Sequence, residues 1–187
     1  SLRSVQYFLE ADNKTTSTFV SPHLVNVTDR IWLKNRFITL NEIKKYERIV
    51  SKTGLKLTLF EAITMIYLLA ASKQKKITHH LIEAGLLFKG DSTRLWDAPR
   101  AQVITNINFQ HQEWVKPSTI EEICKQKVGY LSKKTNIYIG KQTPKVLKII
   151  KKILKNNPSK KIYPSTWSIK EIKGKYYYKD KENVIPI

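Results

Sequence analysis

The chain has 187 residues, with 34 Lys and Arg against 15 Asp and Glu and a formal charge of +19 at pH 7. A lone cysteine, Cys124, excludes a disulfide framework and a thiolate zinc site, and the longest apolar run, residues 65–71, is far too short to cross a bilayer. At 41% hydrophobic the chain is too apolar to be wholly disordered, so the expectation is one soluble, cytoplasmic domain over residues 1–187.

Leu2, Val5 and Leu9 recur at helical spacing and predict a helix over residues 1–10. The β-branched residues 16–20 read as a strand, broken by Ser21-Pro22-His23. Thr39-x-x-Glu42 and Thr58-x-x-Glu61 are capping boxes, in which each side chain satisfies an exposed backbone N–H of the other residue. They open helices over residues 40–51 and 59–71. Strands follow at 77–83, 102–107 and 136–140. A helix over 118–131 is expected from a third capping box, Ser118-x-x-Glu121, and another over 143–156 from Thr143-Pro144. Residues 167–172 and 175–179 flank Lys173-Gly174 and predict a terminal hairpin. Strands alternating with helices argue for an α/β fold, three layers about a mostly parallel sheet, ending in a small antiparallel hairpin.

The charge invites a nucleic-acid partner, because lysines that neutralise phosphates release counterions. Yet 28 of the basic residues are Lys and only 6 are Arg, whose planar fork is the better reader of bases and phosphates. The composition therefore argues against a nucleic-acid partner and for a solvated, lysine-biased surface.

In α/β sheets the reactive crevice lies beyond the carboxyl ends of the strands. Three segments qualify: Ser21-Pro22-His23, Glu83 with the residues after it, and residues 106–111 ending at His111. A hydroxyl, a carboxylate and an imidazole from these ends could converge on one hard or borderline cation. His79 and His80 alternate faces within a strand and receive no catalytic role.

Ser21-Pro22-His23-Leu24 with Thr28-Asp29-Arg30-Ile31 resembles the TSPHL…ERI loop of folylpolyglutamate synthase/dihydrofolate synthase, relatives of the Mur ligases. Further matches follow in family order. Leu57-Thr58-Leu59-Phe60-Glu61 is similar to LTxFE. Glu83-Ala84-Gly85-Leu86, with Asp91 and Thr93, is similar to EVGLGGRLDATN. Residues 104–111 are similar to ITNIGLDH, Gln126-Lys127-Val128-Gly129 to EKAG, and Trp167-Ser168 also fits. The resemblance implies a P-loop NTPase-like central domain. It also implies a ligase in which ATP phosphorylates a folate or dihydropteroate carboxyl and glutamate displaces the phosphate. By position, Ser21, Glu83 and His111 match the family's magnesium ligands, and Lys127 matches its carbamylated lysine. Leu57, Thr58, Leu59, Phe60, Gly90, Asp91 and Ser92 match the pterin-binding stretches.

Two departures accompany the match. The family's nucleotide loop, G-T-N-G-K-G-[ST], occurs nowhere in these residues, and Ser1 stands where its last residue would fall. The expectation is a central portion without its P-loop or glutamate-binding C-terminal domain, inactive alone unless a companion chain supplies the loop. Within the match, Leu87-Phe88 replaces a double glycine, Gln110 and Gln126 replace acids, Lys89 replaces an arginine, and Arg94 replaces an asparagine. A non-catalytic remnant that binds folate or a partner chain is the alternative expectation.

Overall fold

The computed structural model describes residues 2–164 and 168–186; Ser1 and Trp167, expected at the start of a helix and of a strand, lie outside them. The fold is α/β, with mixed, parallel and antiparallel sheets. The chain divides into two compact units, Ser1–Leu95 and Trp96–Ile187. Among the described residues no helix is long and apolar enough to cross a membrane.

The first unit runs α1 (Leu2–Ala11), β1 (Thr16–Phe19), β2 (Ile31–Lys34), β3 (Arg36–Phe37), α2 (Leu40–Ser51), α3 (Leu59–Ser72) and β4 (His79–Ile82). Its strands lie in the order β3-β2-β1-β4, with β1 parallel to β4 and antiparallel to β2. Alternation along β1 builds the layers, since successive side chains point to opposite faces. Ser17 and Phe19 face α3, where the Phe19 ring stacks on Tyr67 at 5.2 Å and on Phe60 at 5.7 Å. Ile31 and Leu33, their partners on β2, join Tyr46, Val50, Ile63, Ile66 and Ala70 in the core on that side.

Thr16 and Thr18 face α1, and there the cement is polar. Arg3 of α1 donates to Gln6 Oε1, Thr18 Oγ1 and the Asp29 carbonyl, with its guanidinium over the rings of Trp32 and Phe37. The Glu10 carboxylate accepts from Gln6, Thr16 and the Trp32 indole. Burial lowers the Arg3 pKa, and the charges of Asp29 and Glu10 oppose that shift.

Two of the three expected capping boxes form in this unit, Thr39 with Glu42 and Thr58 with Glu61. The β2–β3 hairpin was not among the expected elements. Lys34 occupies its positive-φ turn position at 64°, where a glycine would have marked the turn in the sequence.

The second unit holds β5 (Gln102–Ile104), α4 (Ile120–Val128), β6 (Ile137–Ile139), α5 (Pro144–Ile153) and β7 (Lys161–Ile162), in a parallel sheet ordered β5-β6-β7. Ile104, Ile137 and Ile139 of the sheet, Ile123 and Val128 of α4, and Val146 and Ile150 of α5 are buried. Thr143 caps α5 with Pro144 at its first turn, as expected. The α4 cap differs: Thr119, not Ser118, accepts from the N–H of Glu122, so the helix starts one residue later than the Ser118 pattern implies. β8 (Ser168–Ile172), β9 (Lys175–Lys179) and β10 (Val184–Pro186) form an antiparallel sheet, its β8–β9 turn carried by positive φ at Lys173 and Gly174.

Candidate functional site

Because β1 and β4 run parallel, their carboxyl ends open at the same sheet edge. The Glu83 N–H donates to the Phe19 carbonyl at 2.9 Å, carrying the ladder one residue past β4. The backbone N–H of Ser21 then donates to Glu83 Oε2 at 3.1 Å. Two of the three expected metal-binding residues are thus held together, both half-buried. Glu83 Oε1 makes no hydrogen bond among the described residues, which leaves a carboxylate oxygen beside a serine. Oxygen donors of this kind suit a hard divalent cation that keeps several waters.

The loop after Ser21 closes on itself. Asp29 Oδ2 accepts from the backbone N–H groups of Val25 and Asn26, which hold its carboxyl below the usual range. Arg30 Nε donates to His23 Nδ1 at 3.1 Å, and Arg3 holds the Asp29 carbonyl from α1. The two halves of the Ser-Pro-His…Asp-Arg motif are therefore one hydrogen-bonded loop.

The loop after Glu83 is fastened by the residues expected to meet a pterin. Asp91 accepts from the Gly85 N–H at 2.9 Å and from both the N–H and hydroxyl of Thr93. Ser92 Oγ pairs with Thr64 Oγ1 at 2.9 Å, and Thr64 donates to the Phe60 carbonyl. A Cβ at Gly85 would lie 2.7 Å from the Phe60 ring, so glycine is what lets the loop pass α3. Asp91, Ser92, Phe60 and Gly85 are thereby brought to one neighbourhood. Thr58 is engaged as the α3 cap and Leu57 packs on the core, while Leu59 is 82% exposed and Gly90, at φ +68°, has open space about it.

His111 and Lys127 belong to the second unit. His111 sits half-buried at φ 60° before a 3-10 turn over Gln112–Trp114, its carbonyl accepting from Trp114 N–H. Lys127 is half-buried on α4, one turn from Cys124. Burial pushes the Cys124 thiol up to about 11, helped by Glu121 and opposed by Lys127. Among the described residues no group of three or more His, Cys, Asp or Glu forms a metal cluster.

Two polar constellations escaped the sequence reading. Ser17 Oγ lies 2.8 Å from the Tyr67 hydroxyl and 2.7 Å from His80 Nδ1, joining β1, α3 and β4. Burial pushes Tyr67 up to about 12, against the Ser17 hydrogen bond, and burial together with His79 lowers His80. In the second unit, Gln142 and Asn106 link the segments that follow β5 and β6. Nothing local in the sequence marks either group, because the partners lie 35 to 63 residues apart.

Across its whole length the chain superposes on Escherichia coli FolC solved with DHPP and ADP, at TM-score 0.84 and 21% identity, covering 45% of that chain. This is the fold of folylpolyglutamate synthases. The bifunctional folylpolyglutamate synthase/dihydrofolate synthase of Yersinia pestis, solved with AMPPNP and Mn, matches 97% of the chain at TM-score 0.80 and 19% identity, covering 43% of its own length. In sequence, the dihydrofolate synthase/folylpolyglutamate synthase of Bacillus subtilis is 26% identical over 155 residues, 79% of this chain and 36% of the relative. No protein-family model matches. The resemblance to folylpolyglutamate synthase/dihydrofolate synthase therefore extends along this chain but over less than half of those proteins.

Proposed function

We propose that the chain is the central, metal- and pterin-handling domain of a folylpolyglutamate synthase/dihydrofolate synthase-like ligase acting in the cytoplasm. In that reaction the γ-phosphoryl of ATP passes to a carboxylate oxygen of a folate or dihydropteroate, releasing ADP. The amine of glutamate then attacks the acyl carbon, an amide forms, phosphate leaves and the amine loses a proton. The observation that carries the reading is the Ser21 N–H to Glu83 contact at the carboxyl ends of β1 and β4.

The Ser21 hydroxyl and the free oxygen of Glu83 are candidate ligands of Mg2+, with water and phosphate oxygens completing the sphere, and His111 of the second unit is a further candidate ligand by its position in the resemblance. When bound, the ion supplies charge neutralisation for phosphoryl transfer. Lys127 is the candidate carbamylated lysine, which in that form presents an anion. Leu57, Thr58, Leu59, Phe60, Gly90, Asp91 and Ser92 are the candidate pterin-binding stretch, with Asp91 and Ser92 shaping the loop through their own hydrogen bonds. Residues 1–187 contain no glycine–lysine loop to cradle ATP phosphates, so this span alone is expected to lack ligase activity without a companion segment.

Mn2+ titration followed by electron paramagnetic resonance tests the reading. Wild-type chain should bind Mn2+, and Glu83→Gln should weaken binding by at least roughly tenfold, the scale of a lost metal-site partner. Unchanged binding in Glu83→Gln would remove Glu83 from the site. The bulk of Leu87 and Phe88 at the family's double glycine favours a second reading, a remnant that holds folate or a partner chain without catalysis. Folate binding without Mn2+ binding would select it.

A further inference from the structure

The parallel ladder between β5 and β6 ends with the Gly140 N–H donating to the Ile104 carbonyl at 2.7 Å. Beyond that point the two chains part, and the backbone groups that follow would lose their partners. Gln142 supplies them. Its Oε1 accepts from the Ile107 N–H at 2.9 Å, and its Nε2 donates to the Thr105 carbonyl at 2.8 Å and the Gly140 carbonyl at 3.2 Å. A primary amide has the same donor and acceptor chemistry as a peptide group, so this side chain continues the ladder as a surrogate rung. Asn106 fastens the same junction from the other side, donating to the Lys141 carbonyl at 3.0 Å. Gly140 permits the approach, since a Cβ there would lie 3.1 Å from the Ile104 oxygen.

The segment so held is the one that leads to His111. Ile107, whose N–H the rung satisfies, is buried at 4% exposure, and the exposed residues 108–110 lie between it and His111. We infer that Gln142 is a positioning residue: its amide clamps residues 105–107 to the end of β6 and so fixes where His111 stands. The inference rests on the proposed ligase reading for its purpose and on the Gln142 hydrogen bonds for its mechanism.

Gln142→Glu separates this role from general stability. The carboxylate keeps an acceptor for the Ile107 N–H but has no donor for the Thr105 and Gly140 carbonyls, whereas alanine has neither. The Ile107 amide resonance and its exchange protection, referred to the intrinsic exchange rate at each pH, should be lost in Gln142→Ala at every pH. In Gln142→Glu they should be retained at neutral pH, since the carboxylate still accepts from the Ile107 N–H. Ile123 and Ile150 amides, in α4 and α5, report whether the unit stays folded.

Mn2+ affinity should fall roughly tenfold or more in Gln142→Ala, the scale for a group that orients a metal ligand, and less in Gln142→Glu at the same neutral pH. Ile107 protection that survives in Gln142→Ala, or that is lost in Gln142→Glu at neutral pH, overturns the inference. Loss of Ile107 protection with unchanged Mn2+ affinity also overturns the positioning role. A wild-type chain that binds no Mn2+ sinks the ligase reading instead, and the amide data alone then decide for or against the clamp.

Discussion

A single histidine illustrates how burial sets solution behaviour. His80 shares a hydrogen bond with Ser17, whose hydroxyl also meets Tyr67, and burial, with a smaller electrostatic contribution from His79, lowers the His80 pKa. Burial makes the neutral imidazole the favoured form in the folded chain, while the unfolded chain takes up a proton near the ordinary value of 6.5. As pH falls through about 6.5 the unfolded state binds more protons, so stability must decline there. Glu42 acts in a lower window. Paired with Arg36 at 2.7 and 2.8 Å, it is pulled from 4.5 to about 2, and its contribution is present above 4.5 and lost as pH falls toward 2. Urea unfolding across pH should show both declines, with His80→Asn abolishing the upper one alone. Persistence of the upper decline in His80→Asn would assign it to another group. At this scale the positions of Ser21 and Glu83 just past their strands were legible, because the carboxyl-end rule needs only strand positions. The Ser17–Tyr67–His80 cluster was not, since three elements must fold before its atoms meet.

The helices were legible where their starts are local. Thr39, Thr58 and Thr143 each act on residues three positions away, so the signal is complete within four letters of sequence. The α4 start was misread because Ser118-Thr119 is followed by Glu121-Glu122, and the same pattern fits in two registers. The structure selects Thr119, after Lys116-Pro117, with no capping role for Ser118. Thr119→Ala should therefore destabilise the chain by about 1 kcal/mol, and Ser118→Ala should stay within about 0.5 kcal/mol of wild type. Denaturant midpoints that reverse this order would restore the earlier register. The β2–β3 hairpin shows the limit of such reading: with Lys34 and Asn35 at its turn, the backbone conformation is dictated by the sheet and not announced by a glycine.

At the scale of the whole chain, charge is the dominant feature. Residues 123–170 carry thirteen lysines and no acid. Ion pairs such as Lys125–Glu122, Lys134–Asp97 and Lys145–Glu121 span 3.6–3.9 Å and involve exposed lysines, so each is worth little. Self-repulsion should therefore weaken the folded chain at low salt. Raising ionic strength from about 0.01 to 0.15 M shortens the screening length from about 30 to 8 Å, and the melting temperature should climb over that range. A melting temperature that falls instead would mean that attractive pairs outweigh repulsion. Composition made the excess charge legible from the start, and so did its density, highest from Lys141 to Lys161; the fold adds that this stretch lies in the second unit.

The polar underside of the first sheet has an optical corollary. Trp32 is the sole indole between residues 1 and 95, tied through its nitrogen to Glu10 and roofed by the Arg3 guanidinium. Both of those groups ride on α1. If that helix peels off while the greasy opposite flank around Phe19 and Tyr67 holds, the Trp32 ring alone is wetted, and its fluorescence shifts to the red. With the other three tryptophans replaced by phenylalanine, the colour of Trp32 can therefore time the detachment of α1 separately from the melting of the aromatic stack.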